Sequence, residues 1–338
     1  MRLFAAPIVC AMFISPAFAQ PAAEAFYKGR TVEMIIGTQP GGGYDLYGRL
    51  IARYIGKHVP GNPTVIVKNM PGAGHLRMTN WLYNAAARDG TVLATAPQAL
   101  AIEQALGSEG IQYDAAKFSW IGRAAPVVEV TFTWHTSPTK TLNDARTRET
   151  VMGGSGPTSP TVFYLKALNA LAGTKFKIIA GFPGGGETEL AMQRGEVEGN
   201  TKAWASMKVD NAAWLKEKKV NILLQYALER SPDLPDVPLM AELGRSEGDR
   251  RALKLFAMGN AMGRSIMGAP GVPPERTAAL QRALNDTMTD PELVAFATER
   301  HIDIGPALDG PGLQRLVEET LAVTPEVVAQ VKKARGDY

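Results

Sequence analysis

Ile35–Asp45 reads IIGTQPGGGYD, and Ile178–Thr188 reads IIAGFPGGGET. Each couples an apolar, β-favouring pair to Pro-Gly-Gly-Gly, then to an acidic residue and a helix-forming run. A strand that turns through glycines into a helix is a βα corner. A chain that repeats this corner so far along its length is expected to hold two α/β units, each presenting a glycine turn and a helix start to a shared cleft.

The residues between and around these corners keep the same alternation. TVEMIIGT precedes the first corner, and Leu46, Leu50, Ile51, Tyr54 and Ile55 follow it at helical spacing. TVIVKNM, the turn PGAGH and LRMTNWLYNAAA form the next unit, and TVLATA the strand after it. A second set opens near Val127 with VVEVTFTW. It continues through TVMGGSGPTSP, a helix stopped at Gly173, the strand KFKIIAGF and the second Pro-Gly-Gly-Gly. VNILLQYAL is a further buried-strand candidate, and the proline-rich Ser231–Pro238 reads as a crossover linker. The tail is helical, with Asp290-Pro291 and Thr324-Pro325 as starts. At 338 residues the chain exceeds what one core usually organises, which again favours two lobes.

Residues 1–19 read as a cleavable signal: Arg2, an apolar run from Leu3 to Ile14, and Ala17-Phe18-Ala19, with cleavage expected after Ala19. The one cysteine, Cys10, lies inside it, so the mature chain has no thiol for a disulfide, a metal site or a nucleophile. Val9 precedes Cys10 where a lipid-anchored signal wants a small residue. The expectation is an exported, periplasmic protein. A net charge of +3 without a basic stripe argues against nucleic acid as a partner.

Four corners can expose unpaired amides at a helix start, where an anion is favoured: Gly41–Asp45, Gly72–His75, Gly153–Ser159 and Gly184–Thr188. None contains arginine or lysine, so an anion there is expected to be held by backbone N–H groups, the hydroxyls of Ser155, Thr158 and Ser159, and water. Each corner can equally be an ordinary turn, and Asp45 and Glu187 can be plain helix caps. His75, following PGAG, stands alone among the four histidines in lying within a candidate site. Trp204 either lines the cleft or is buried core. Gly41-Gly42-Gly43 fails the dinucleotide fingerprint, no phosphate-binding P-loop occurs, and Pro157 breaks a nucleophile elbow at Ser155. No cofactor or metal motif is present.

The signal together with YKGRTVEMIIGTQPGGGYDLYGRLIARYI, VIVKNMPGAGHLRMTNWLYNAAARDGTVLAT, IIAGFPGGGETELAMQRGEVEGN and PGVPPERTAALQRAL resembles the extracytoplasmic solute receptors of tripartite tricarboxylate transporters, the Bug-type binding proteins. The resemblance runs from about Phe26 to the end and keeps motif order. It implies a type II periplasmic-binding fold: two α/β lobes with a hinge, closing over a small organic acid for delivery to membrane permease subunits. The lobes are then expected at 24–127 with 231–338, and at 128–230, in a monomer. By position it implicates Gly41, Gly42, Gly43 and Asp45; Gly72, Ala73 and Gly74; Ser155, Gly156, Thr158 and Ser159; Gly184, Gly185 and Gly186; and Gln98 as a wall residue. His75 departs from the small residue or asparagine of the pattern, and Glu198 from its aspartate.

Two other readings stay open on sequence grounds. One is an exported α/β hydrolase using Ser155 and His75, which lacks a recognised motif. The other is a sensor with the same binding fold.

Overall fold

The computed structural model describes residues 19–155, 160–182, 184–305 and 307–336. The signal-like segment up to residue 18 and the expected site residues Gly156, Thr158 and Ser159 lie outside the described residues.

The strands sort into two sheets. β1 (Thr31–Ile36), β2 (Thr64–Asn69), β3 (Val92–Ala96) and β4 (Ser119–Arg123) belong to the first; β5 (Glu129–Trp134), β6 (Thr150–Gly154), β7 (Phe176–Ala180), β8 (Gly199–Ala203) and β9 (Val220–Tyr226) to the second; β10 (Ser265–Gly268) and β11 (Leu308–Asp309) return to the first. The orders are β11-β4-β10-β3-β1-β2 and β7-β6-β8-β5-β9. β1 pairs in parallel with β2 and β3, and β6 with β7 and β8; β10 and β5 are the antiparallel insertions. Parallel neighbours end on the same edge of a sheet, so the corners after β1, β2 and β3 share one edge, as do those after β6, β7 and β8. The chain thus forms two α/β lobes.

Helices cover both faces of each sheet, as parallel strands require. In the first lobe Val32, Met34 and Ile36 of β1 point at Leu50, Ile51 and Ile55 of the helix Gly42–Ile55 and at Leu280 and Leu284 of Pro274–Met288. A second core runs unbroken from Ile35 and Ala94 through Leu253 and Phe256 of the helix Glu247–Met262 to Leu165 and Leu168 of Pro160–Ala172. Val327 and Val331 of the helix Pro325–Arg335 close that core on the second-lobe side.

Two segments tie the lobes. Ala124–Val128 leads out and Asn260–Arg264 leads back, side by side. Ala124 N–H donates to the Arg264 carbonyl at 2.9 Å, Arg264 N–H to that of Ala125 at 2.8 Å, and Val127 N–H to that of Asn260 at 3.0 Å. Ser231–Pro238, expected as a crossover, instead folds back on β9. The buried Gln225 side-chain amide donates to the carbonyls of Leu234 and Val237 at 2.9 and 2.7 Å, and its backbone N–H to that of Pro238 at 2.9 Å. A buried amide must find acceptors, and this segment supplies its carbonyls.

Candidate functional site

The first corner is built by its own backbone demands. Gly41 and Gly42 hold φ of +92° and +75°, conformations that cost any other residue energy. Asp45 turns back on the loop: its carboxylate accepts from Gly41 N–H at 2.9 Å, Arg49 Nε at 2.8 Å and Asn69 Nδ2 at 2.9 Å. The hydrogen bond from Arg49, with those from Asn69 and Gly41, outweighs burial and holds the carboxyl at about 2. Asp45 is therefore a brace for the turn.

The corners after β1, β2 and β3 converge on Tyr44. Its hydroxyl donates to Gln98 Oε1 at 3.2 Å and accepts Gln98 N–H at 2.9 Å, and its ring meets that of His75 edge-on at 4.5 Å. The second corner is strained: Gly72, Ala73, Gly74 and His75 all have positive φ, including +46° at Ala73 and +77° at His75. His75 packs over Gly37, where a β-carbon would lie 2.6 Å from its Nδ1, and that nitrogen is shut from solvent with no partner. Burial, helped by the charge of Arg264, lowers the imidazole to about 4.

From Gln98 the polar contacts pass through Asn260 into the second lobe. Gln98 Nε2 and Tyr164 Oη each donate to Asn260 Oδ1 at 3.1 Å, and Asn260 Nδ2 donates to the Tyr226 carbonyl at 3.1 Å. The rings of Tyr164 and Tyr226 stack at 4.4 Å. A fully paired network of this kind rigidifies what it joins.

In the second lobe the corners after β6 and β7 also meet. Ser155 accepts through its carbonyl from Gly181 N–H at 2.6 Å, and Phe182 N–H donates to Gly154 O at 3.2 Å. Gly184 accepts from the Thr188 hydroxyl at 3.0 Å, and a β-carbon on Gly185 or Gly186 would meet nothing within 4 Å. That glycine run leaves the start of the helix Gly185–Gln193 bare. Glu198, the departure from the family pattern, is spent on structure, pairing with Arg148 at 2.7 Å and accepting from Ser137 Oγ at 2.6 Å.

A cleft of about 1150 Å³ opens between the lobes, with Gly41–Gly43 and Arg264 on one wall and Trp204 and Lys208 on the other. Opposite the first corner stands the helix Trp204–Asp210; the described lining does not include Ser155 or Gly184–Gly186. Trp204 is 9% exposed, and its Nε1 donates to Asp233 Oδ2 at 2.9 Å. Lys208 spans the gap, contacting Asp233 at 3.0 Å and Asp303 at 3.1 Å. Gly72–His75 and Gln98 stand behind the first corner, joined to it through Tyr44.

Sequence reasoning passed over Arg264, which ends the returning hinge segment. Its guanidinium lies over the Tyr44 ring at 4.6 Å, and a β-carbon on Gly43 would stand 2.7 Å from its Nη2. No spacing links residue 264 to residue 43; only the hinge pairing brings them together. Tyr44 was legible, since it sits within the quoted corner.

Two α/β lobes joined by a paired hinge around an interlobe cleft define a solute-binding protein of the periplasmic type. Residues 49–332 match the tripartite tricarboxylate transporter family receptor (TctC), and the chain belongs to that receptor family. Solved structures agree on the fold. A TctC solute-binding protein from Polaromonas superposes with TM-score 0.69 at 21% identity, covering 91% of this chain and 99% of that one. A Rhodopseudomonas palustris protein with adipate gives 0.61 at 19% identity over 91% and 97%. MatC from the same organism, with bound malate, gives 0.58 at 22% over 88% and 99%. No curated protein matches the chain.

Proposed function

We propose that this receptor captures a small organic acid outside the cytoplasmic membrane and delivers it to permease subunits of a tripartite tricarboxylate-type transporter. The observation that carries the reading is the family match combined with an interlobe cleft walled by the glycine turn Gly41–Gly43. Adipate and malate in two structures of the same fold support the ligand class. Amides at a helix start suit a carboxylate. Gly41–Gly43 would take the ligand's acid group, with Gln98 and the Gly72–His75 turn shaping the pocket behind it and the Ser155 and Gly184–Gly186 corners closing from the second lobe. Closure turns on Ala124–Val128 and Asn260–Arg264, and a ligand that touches both lobes shifts the protein toward the closed form. The signal-like segment supports export to the periplasm, where the mature protein acts as a monomer.

A thermal-shift and calorimetric screen of di- and tricarboxylates, aromatic acids and their neutral amides tests the ligand class. Acids should raise the melting temperature and amides should not. Stabilisation by neutral sugars or cations alone would overturn the reading. Cell fractionation and the mass of the secreted chain test export and cleavage after Ala19.

A further inference from the structure

We propose that Arg264 is the residue through which this receptor reads the charge of its ligand, its guanidinium taking the carboxylate that settles on the Gly41–Gly43 turn. The inference rests on the organic-acid reading above and assigns within it a residue that the glycine corners do not predict.

Arg264 is placed without freedom. Its backbone is paired in both directions with the outgoing hinge segment, donating to Ala125 O at 2.8 Å and accepting from Ala124 N–H at 2.9 Å. Its side chain is pinned by stacking over Tyr44 at 4.6 Å and by Nη1 donating to Gln98 Oε1 at 3.3 Å. The guanidinium lies so close to the turn that a β-carbon at position 43 would stand 2.7 Å from Nη2 and push the side chain aside. Arg264 shares the cleft wall with Gly41–Gly43.

The other arginines and the lysine lining the cleft already have partners: Arg123 Nη1 donates to the Ala261 carbonyl at 2.6 Å and Arg300 lies over the Phe296 ring at 4.5 Å. Arg49 pairs with Asp45 at 2.8 Å, Arg230 with Glu242 at 2.7 Å, and Lys208 with Asp233 and Asp303 at 3.0 and 3.1 Å. Among the described residues no carboxylate forms an ion pair with Arg264. The acid it acts on, Glu129 at the start of β5, has an Oε2 shut from solvent with no partner. Burial pushes that carboxyl up to about 7 in spite of Arg264, so Glu129 becomes a progressively weaker counter-ion as pH falls below 7. A half-buried guanidinium beside the Gly42 and Gly43 amides, with the Gly41 N–H already given to Asp45, is a receptor for a planar anion: it presents a fork of N–H donors where carboxylate geometry needs them. A neutral amide of the same shape meets the same fork without the charge.

The test is calorimetric titration of the full mature chain with succinate, malate, adipate and benzoate, each beside its neutral amide (diamide for the diacids). The wild type is expected to prefer the best-bound acid over its amide by about tenfold to a hundredfold, the worth of a hydrogen bond to a charged group. Arg264→Gln should bring acid and amide within about threefold, with the loss falling on the acid, and Arg264→Lys should lie between. Lys254→Gln, outside the cleft and paired with Glu319 at 2.9 Å, should keep the wild-type preference. A folded Arg264→Gln protein that still prefers the acid as strongly as the wild type overturns the proposal and leaves the organic-acid reading intact. If Arg264→Gln does not fold, the lysine variant decides: an unchanged preference counts against the proposal. A wild type that binds none of the acids overturns both readings.

Discussion

A β-carbon on Gly263 would lie 2.1 Å from the carbonyl oxygen of Ala125. Gly263 ends the helix Glu247–Met262 with φ of +53°, and the two hinge segments lie against each other because nothing projects there. Gly263→Ala is expected to destabilise the protein by on the order of 3 kcal/mol, combining strained backbone with a clash. Denaturant unfolding checks this; a variant within about 0.5 kcal/mol of wild type would mean the hinge pairing is loose.

Lys208 and Asp303 contact each other across the cleft at 3.1 Å, from the helix Trp204–Asp210 to the loop after the helix Pro291–Glu299. The pair is half-exposed, so it adds at most about 1 kcal/mol to closure. Asp303→Asn should speed ligand release by up to about fivefold in low salt, and the difference should vanish at about 1 M salt, where charges are screened within a few ångströms. Stopped-flow release measured at both ionic strengths decides it; a gap that persists in high salt points to packing.

Asp45 touches the first turn only through its braces. Asp45→Ala removes the acceptor of three hydrogen bonds and should cost about 1–3 kcal/mol of stability. It should also weaken acid binding, since Gly41 loses the contact that fixes its amide. Calorimetry showing unchanged affinity would place the ligand away from this turn.

His75 and Glu129 predict opposite slopes of stability with pH. Burial lowers His75 to about 4 from its ordinary 6.5, so the unfolded chain takes up this proton first; the stability it contributes is full above 6.5 and is lost as pH falls toward 4. Burial raises Glu129 to about 7 from its ordinary 4.5, so the folded chain holds that proton longer; its contribution is full below 4.5 and is lost as pH rises through 7. The two offset each other in the wild type. His75→Asn should uncover a decline as pH rises from 4.5 to 7, and Glu129→Gln a decline as pH falls from 6.5 to 4, each roughly 1–3 kcal/mol. Melting curves across this range check both signs.

Much of the architecture was legible because buried parallel strands write themselves as apolar runs, as β1 and β3 do, and because glycine turns mark the ends of β1 and β7. β4, β8 and β10 were not. SWIGR and GNTKA mix polar residues and glycine, and SIMG is too short to show a period. The proline-rich segment misled for a related reason: Ser231–Pro238 carries the prolines of a linker but serves as acceptor for Gln225, while the stretch paired with Ala124–Val128, Asn260–Arg264, is disguised as the end of a helix. Within the site, the glycine corners were visible and the cation was not. A glycine motif is local, whereas Arg264 reaches Gly43 only through the hinge pairing.

The helix Pro325–Arg335 buries Val327 and Val331 in the same core as Leu165 and Leu168, although β9 completes the second sheet a hundred residues earlier in the chain. During synthesis or export, then, the second lobe emerges with all its strands but an unroofed apolar flank. It must wait for nearly the whole polypeptide before that flank is sealed, and in the interval it is the natural foothold for a chaperone or for aggregation.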